Sequence, residues 1–339
     1  MNFPRDVLGC ILRYLDELDD MKNLRLTCLH NASCVLRYMF VEYYFKMNEY
    51  NVRDKAFQSL LSNMQNVILN TANVQNWAWL PLNIKKIHLF NITYDRVILP
   101  MHIKTLIITT GFDGEIPTLP SELTELEVHC DMDIILPSSL QRICIRHFFN
   151  RPINIGVNIT WISISGHFNR PLGTLPPNLK TLRFHASDFH HPLGKLPDSL
   201  EVLTLPFSYV FPLDNLPHCL RKLDVGGEYN HPLGILPSNL EYLKLSSLYS
   251  CPLGVLPETL RTLYTGRAFY EPLGILPDSL VELVISSPFF NHHLGVLPSK
   301  LSFLLVGHGF NQPLGVLPLS LKKLSVWSFL CSRNRLLSS

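Results

Sequence analysis

The sequence predicts a mostly β solenoid of stacked parallel coils, preceded by a small α-helical N-terminal domain. Three observations support this fold class. A Leu-Pro step returns about every twenty residues between Leu80 and Pro318, and a short fixed period is typical of stacked repeats. Most steps open the pattern L-P-x-x-L-x-x-L-x-L, whose alternating end predicts a short strand with one face inward. Later coils also contain P-L-G-x-L-P, in which two prolines and a glycine exclude a helix.

Residues 1–48 carry the pattern of a small helical domain. Apolar side chains recur there at three- and four-residue steps, at Val7, Leu8, Ile11, Leu12 and Leu15. This spacing places them on one face of a helix, and Pro4 suits the first turn of that helix. Residues 49–79 are expected to form a helical or irregular linker and the N-terminal cap of the solenoid, and residues 328–339 a flexible tail.

The solenoid is expected to span residues 80–327 in about thirteen coils. The coils are marked by Pro81, Pro100, Pro120, Pro137, Gly156, Pro176, Pro197, Pro217, Pro237, Pro257, Pro277, Pro298 and Pro318. Gly156 stands where the expected proline is missing. Stacked coils pair their strands in parallel, so the pattern predicts one parallel strand per coil and an extended, non-helical outer side.

An aromatic residue precedes the P-L-G segment of each later coil. These residues are Phe149, Phe168, Phe189, Tyr209, Tyr229, Tyr249, Phe269, Phe290 and Phe310. A column of aromatic residues at one phase of the repeat predicts stacking in the core. The next residue is often asparagine, at Asn150, Asn169, Asn230, Asn291 and Asn311. Its side chain is expected to bond backbone groups of the turn and of the next coil.

The composition favours a large buried core and argues against a nucleic-acid surface. Apolar residues make up 47% of the 339 residues, and the net charge is only +2, whereas nucleic-acid binding usually shows a strong basic excess. No stretch reaches the ~18 apolar residues that span a bilayer, and no signal peptide is recognisable. We therefore expect a cytoplasmic protein with no nucleic-acid or membrane partner, whose eight cysteines are reduced.

The strings FNRPLG at residues 168–173 and FNQPLG at 310–315, each followed by L-P-x-x-L-x-x-L-x-L, resemble the FNIP repeat. That repeat family is related to leucine-rich repeats and is expanded in social amoebae and in large viruses that infect amoebae. The resemblance is close over residues 140–327 and looser over 80–140. It implies a leucine-rich-repeat-like parallel β horseshoe with an extended convex side, and the similar short repeats of bacterial effectors also curve into horseshoes.

The N-terminus resembles the F-box. The strings FPRDVL at residues 3–8, ILRYL at 11–15 and LRLTC at 24–28 follow the order of that motif, which usually opens L-P-x-E and continues I-L-x-x-L. Phe3 and Asp6 replace the usual leucine and glutamate, and no tryptophan stands near the end. The alternative interpretation is that these helices only cap the apolar end of the solenoid, which every solenoid needs.

The F-box resemblance implies a partner for the helical domain. Such a domain docks on a Skp-type adaptor of a cullin ubiquitin ligase. By analogy with the motif, the adaptor contacts would come from Pro4, Val7, Ile11, Leu15 and Leu24. The repeats would then select the protein to be ubiquitinated, and the complex would act by proximity, raising the local concentration of the target near the ligase.

No pattern in the sequence predicts catalysis, a cofactor or a metal site. The histidine pairs His190-His191 and His292-His293 fall in the turn before P-L-G, without acidic or cysteine partners at metal-ligand spacing. No glycine-rich phosphate loop or nucleophile motif is present. We therefore expect a binding protein and not an enzyme.

The strand face is where the coils differ, and the predicted target site lies there. The residues flanking the central leucine of L-x-x-L-x-L point away from the core. Towards the C-terminus these positions become large and apolar, and one exposed patch is expected at Tyr242, Tyr264, Val284, Phe303, Leu305 and Trp327. Contiguous exposed apolar surface marks a partner site. The alternative is that Phe303, Leu305 and Trp327 pack under the C-terminal tail as an end cap.

The F-box and FNIP resemblances imply a substrate-recognition subunit of a cullin-type ubiquitin ligase, with a Skp-type adaptor at the helical domain and an unknown target protein on the solenoid. The alternative is a repeat binding or scaffold protein with no role in ubiquitination. Either protein would work in the cytoplasm, which would be the host cytoplasm if the chain is viral.

Overall fold

The computed structural model of the chain describes residues 66–70, 80–90, 98–109, 118–213 and 215–326. The predicted helical domain at 1–48 and the predicted tail at 328–339 lie outside the described residues. Every regular element in the described residues is a β-strand. No helix among them is long and apolar enough to cross a membrane.

The chain divides into two compact units, residues 1–140 and 141–339. Among its described residues, the first unit contains four short strands that pair in parallel in sequence order. The strands are β1 (Asn66–Asn70), β2 (Lys86–Phe90), β3 (Thr105–Ile108) and β4 (Glu125–Val128). In β3 and β4 buried and partly exposed residues alternate. This alternation is the one predicted from L-x-x-L-x-L.

Strand β1 lies within residues 49–79, which the sequence assigned to a helical or irregular linker and cap. The sequence at this strand is NVILN, and Val67 and Leu69 stand opposite Ile87 and Leu89 of β2. The apolar alternation of a coil is therefore present. It was overlooked because no Leu-Pro step precedes this strand.

The second unit contains ten strands among its described residues. They are β5 (Arg142–Ile145), β6 (Trp161–Gly166), β7 (Thr181–Ser187), β8 (Val202–Thr204), β9 (Lys222–Asp224), β10 (Tyr242–Lys244), β11 (Thr262–Thr265), β12 (Glu282–Ile285), β13 (Phe303–Val306) and β14 (Lys323–Val326). Each pairs in parallel with the next, and the central leucine or isoleucine of each strand aligns with that of its neighbour. The predicted parallel β solenoid is confirmed.

A β-turn at each Leu-Pro step leads the chain into the strand that follows it. The carbonyl of Pro237 accepts a hydrogen bond from the amide of Leu240 at 3.1 Å, and the other Leu-Pro steps repeat this bond. At Gly156, where the expected proline is missing, the backbone carbonyl accepts a hydrogen bond from the amide of Ile159 at 3.2 Å. The turn survives there because its acceptor is a backbone carbonyl, which any residue supplies.

The aromatic column is buried from Phe149 to Phe290, as predicted, whereas Phe310 at its C-terminal end is half-buried. Its members from Phe149 to Phe290 are almost fully buried, and successive rings stack, for example Tyr229 on Tyr249 at 6.5 Å between centroids. The asparagine prediction also holds. The side-chain oxygen of Asn150 accepts a hydrogen bond from the amide of Asn169 one coil later, at 2.9 Å. Asn291 does the same for Asn311.

The segment P-L-G-x-L-P, which we call the back segment, runs between successive strands. In the coil before β12 the two leucines, Leu273 and Leu276, point into the core and are buried. Gly274 between them has a positive φ of 71°, a conformation that is easy only for glycine. This reversal lets both leucines face inward and turns the side chain of Ile275 outward.

Candidate protein-binding face

The strand face of the second unit presents two columns of outward side chains. The first column contains Trp161, Thr181, Val202, Lys222, Tyr242, Thr262, Glu282, Phe303 and Lys323. The second contains Ser163, Arg183, Thr204, Asp224, Lys244, Tyr264, Val284, Leu305 and Ser325. Neighbours within a column come from paired strands, so they lie about 4.8 Å apart. Side chains twenty residues apart in sequence are thereby brought into contact.

Two tyrosines form the centre of this face. The rings of Tyr242 and Tyr264 lie 5.8 Å apart between centroids. The hydroxyl of Tyr264 donates a hydrogen bond to Oε1 of Glu282 at 2.6 Å, and the ammonium of Lys222 lies 4.4 Å from the centroid of the Tyr242 ring. Both tyrosines are therefore held by polar or cationic neighbours on adjacent strands.

Burial raises the pKa of both tyrosines in this cluster. Partial burial, followed by the hydrogen bond and the charge of Glu282, raises the pKa of Tyr264 above its ordinary value. Burial is also the first cause that raises the pKa of Tyr242. Both hydroxyls therefore keep their protons at neutral pH, and Tyr264 remains a donor to the carboxylate.

Charged side chains flank the tyrosines. Nζ of Lys244 lies 2.9 Å from Oδ2 of Asp224 on the neighbouring strand. Burial lowers the pKa of Lys244, but the hydrogen bond and the charge of Asp224 outweigh it, so the net shift is upward. On the other side the ammonium of Lys323 lies 5.2 Å from the centroid of the Phe303 ring. The face is thus an aromatic cluster bordered by charges of both signs.

The predicted patch is only partly exposed. Tyr242, Tyr264, Phe303 and Leu305 are half-buried, and Val284 is buried, with 8% of its surface exposed. The prediction of an exposed Val284 is wrong because Tyr264 and Leu305 flank it on the paired strands β11 and β13. Val284 forms the floor between these two side chains. Trp327 lies outside the described residues, as do Pro4, Val7, Ile11, Leu15 and Leu24.

The predicted target site left out the polar members of this face. Lys222, Asp224, Lys244, Glu282 and Lys323 occupy the same outward columns, but the prediction selected for apolar character alone. A search for opposite charges one period apart would have found Asp224 and Lys244.

The histidine pairs serve as turn residues. Nε2 of His191 lies 3.3 Å from the carbonyl oxygen of Asn169 on the previous coil, and the ring of His292 meets the buried ring of Phe290 edge-on at 5.8 Å. The described residues contain no group of three or more histidine, cysteine, aspartate or glutamate side chains that could hold a metal ion.

Comparison with known proteins shows the fold. No family model matches the sequence, and no curated protein matches it. The solved structure of CroV588, described as a novel circular LRR protein, is similar to this chain with 22% identity and a TM-score of 0.55. The match covers 78% of this chain and 50% of CroV588, so this chain spans half the length of that protein. YopM, a leucine-rich effector protein from Yersinia pestis, matches with 21% identity and a TM-score of 0.49, over 80% of this chain and 91% of YopM. The likeness to CroV588 shows a leucine-rich-repeat-like fold.

Proposed function

We propose that this chain is a protein-interaction protein whose solenoid binds a target protein through the strand face of β9 to β13. The supporting observation is the cluster of Tyr242, Tyr264, Phe303 and Leu305 over the floor of Val284, with charges at its border. Leucine-rich-repeat-like solenoids typically present such extended surfaces to other proteins.

The chemistry of the cluster suits protein recognition. Tyrosine is enriched among the residues that contribute most to protein–protein affinity. Tyr264 is already held by its hydrogen bond to Glu282, so little side-chain freedom is lost when a partner docks. Lys222, Asp224, Lys244 and Lys323 around it favour a partner with complementary charges of both signs, which sets its orientation.

The finer proposal is a substrate-recognition subunit of a cullin-type ubiquitin ligase that acts in the cytoplasm, or in the host cytoplasm if the chain is viral. It rests on the resemblance of residues 3–28 to the F-box and of residues 140–327 to the FNIP repeat. The helical domain would hold a Skp-type adaptor, and the strand face would hold the target near the ligase.

Loss of the tyrosine cluster tests the target site. The double variant Tyr264→Ala with Phe303→Ala should lose proteins that proximity labelling enriches around the wild-type chain. Val202→Ala with Thr204→Ala is the matched control, because it changes the same two columns on β8, outside the cluster. If the double variant and the control label the same proteins equally, the strand face is not the target site. A fall in melting temperature with unchanged labelling would favour the end-cap interpretation.

Charged substitutions in the N-terminal motif test the ligase role. The triple variant Val7→Asp, Ile11→Asp and Leu15→Asp should abolish capture of a purified Skp-type adaptor, while the circular dichroism of the solenoid stays unchanged. The scaffold alternative predicts instead that the wild-type chain fails to capture the adaptor. It also predicts that the triple variant destabilises the solenoid, because its cap is disrupted.

A further inference from the structure

A row of aliphatic side chains lies on the back of the C-terminal coils. It consists of the variable residue of five consecutive back segments, namely Ile235, Val255, Ile275, Val296 and Val316, and we call it the aliphatic band. Each member is at least 90% exposed. Because each member stands at the same position of successive stacked coils, the five side chains form one continuous row.

The fold does not require aliphatic residues at this position. The equivalent residues of the three preceding back segments are Thr174, Lys195 and Asn215, and all three are exposed. The back segment therefore tolerates polar and charged side chains here. The change to isoleucine and valine begins at Ile235 and continues through every later coil.

The surroundings of the aliphatic band are uncharged on one side and polar at the rim. Exposed glycines precede its members, at Gly234, Gly254, Gly274, Gly295 and Gly315. Two positions further back stand Pro232, Pro252, Pro272, His293 and Pro313, which are exposed as well. Beyond the following Leu-Pro step, Glu258, Asp278 and Lys300 are exposed. An apolar centre with a charged rim is the usual composition of a protein interface.

We propose that the aliphatic band is a homodimer interface, occupied by the aliphatic band of a second copy of this chain. Five nearly fully exposed side chains of this size present on the order of 500 Å² of apolar surface. The proline and glycine columns extend this area towards the roughly 800 Å² per partner that a standard interface buries. The available surface therefore approaches the size of a standard interface.

The regular spacing of the aliphatic band favours a second copy of the chain as the partner. A row with one side chain per coil interdigitates along its whole length only with a surface of the same spacing. Another copy of the chain supplies that spacing over the same five coils, and a two-fold axis makes the contact self-complementary. Isoleucine and valine are branched at Cβ and restricted in χ1, so they lose little side-chain freedom on packing.

Sedimentation velocity of the full chain over a concentration series tests the dimer. The wild-type chain should dimerise in the micromolar range. Val255→Lys with Ile275→Lys should raise the dissociation constant by at least ~100-fold, because two charges would be buried at the centre of the interface. The variants should fold normally, since Lys195 already occupies the equivalent position, and an unchanged melting temperature below the dimerisation range confirms this.

The matched control is Thr174→Lys with Asn215→Lys, which introduces the same charges at the same position of the coil but outside the aliphatic band. This control should leave the dimer intact. A wild-type chain that stays monomeric to about 100 μM overturns the proposal. A dimer that survives Val255→Lys with Ile275→Lys also overturns the proposal. This includes a dimer that is lost only when Val326 on β14 is changed to lysine. These outcomes leave the proposed target site untested and intact, because the substitutions in the aliphatic band do not alter the strand face.

Discussion

The strand face and the back of the C-terminal coils both carry apolar side chains that point away from the core, but they expose them to very different degrees. Val284 on the strand face has 8% of its surface exposed, and Val255 on the back has 90%. On the strand face, paired strands place Tyr264 and Leu305 directly beside Val284. On the back, a single outward residue stands between a glycine and an inward leucine, so no large neighbour within its own coil covers it.

This difference shows that the direction in which a side chain points does not fix how much of it is exposed to solvent. A repeat pattern states which way a side chain points, whereas its exposure depends on the size of the side chains around it. On the strand face apolar residues can support one another and hold polar partners, as Tyr264 holds Glu282. On the back they remain available for an external partner.

The largest contrast is expected from the same substitution at the two valines. Val284→Asp should destabilise the chain by about 3–5 kcal/mol, because it buries an unpaired charge. Val255→Asp should change the free energy of unfolding by no more than about 0.5 kcal/mol, because its side chain is in water. Urea denaturation at low protein concentration measures both. Similar losses at the two positions would contradict the difference in burial.

A smaller effect is expected from the backbone of the back segment. Gly274→Val should cost about 1–2 kcal/mol because a β-branched residue is forced to a positive φ. Packing contributes little, since the nearest atom to an added Cβ is 4.0 Å away. The control is Gly156→Ala, where φ lies outside the left-handed region and nothing lies within 4 Å. It should stabilise the chain by about 0.4–1 kcal/mol, and a loss there would indicate that packing matters.

The tyrosine hydrogen bond on the strand face should contribute about 1 kcal/mol. Tyr264→Phe removes the bond to Glu282, whereas Tyr242→Phe keeps the ring on which Lys222 lies and should change stability less. The pKa of Tyr264 is raised in the folded chain. Its stabilising contribution is therefore complete below the ordinary tyrosine pKa of about 10 and is lost as the pH rises through the higher folded value. Melting temperatures of wild type and Tyr264→Phe between pH 7 and 11, at about one-unit steps, should converge only at the alkaline end.

The smallest expected effect is that of the ion pair between Lys244 and Asp224. A double-mutant cycle with alanine at both positions should give a coupling of about 0.2–1 kcal/mol, because 48% of the lysine side chain is exposed to solvent. The coupling should weaken in about 1 M salt, where charges are screened over ~3 Å. A coupling that is insensitive to salt would indicate that the neighbouring tyrosines shield the pair from solvent.

Several parts of the fold could be predicted because they depend on local patterns repeated many times. The alternation around Leu243, Leu263 and Leu283 placed the strands, and the column from Phe149 to Phe290 placed the core stack. Strand β1 was overlooked because it lacks the Leu-Pro step used as a marker. The outward direction of Tyr242, Tyr264, Phe303 and Leu305 was predicted, but the burial of Val284 and the polar partners of the tyrosines were not foreseen.

The sequence by itself determined the period, the parallel strands, the inward leucines and the non-helical back segment. Each follows from the chemistry of one coil and the need to bury its apolar face. Only the tertiary structure decided that Tyr264 meets Glu282, that Val284 becomes a floor, and that the row from Ile235 to Val316 stays in water. The register between coils decides these features, because it sets which side chains twenty residues apart become neighbours.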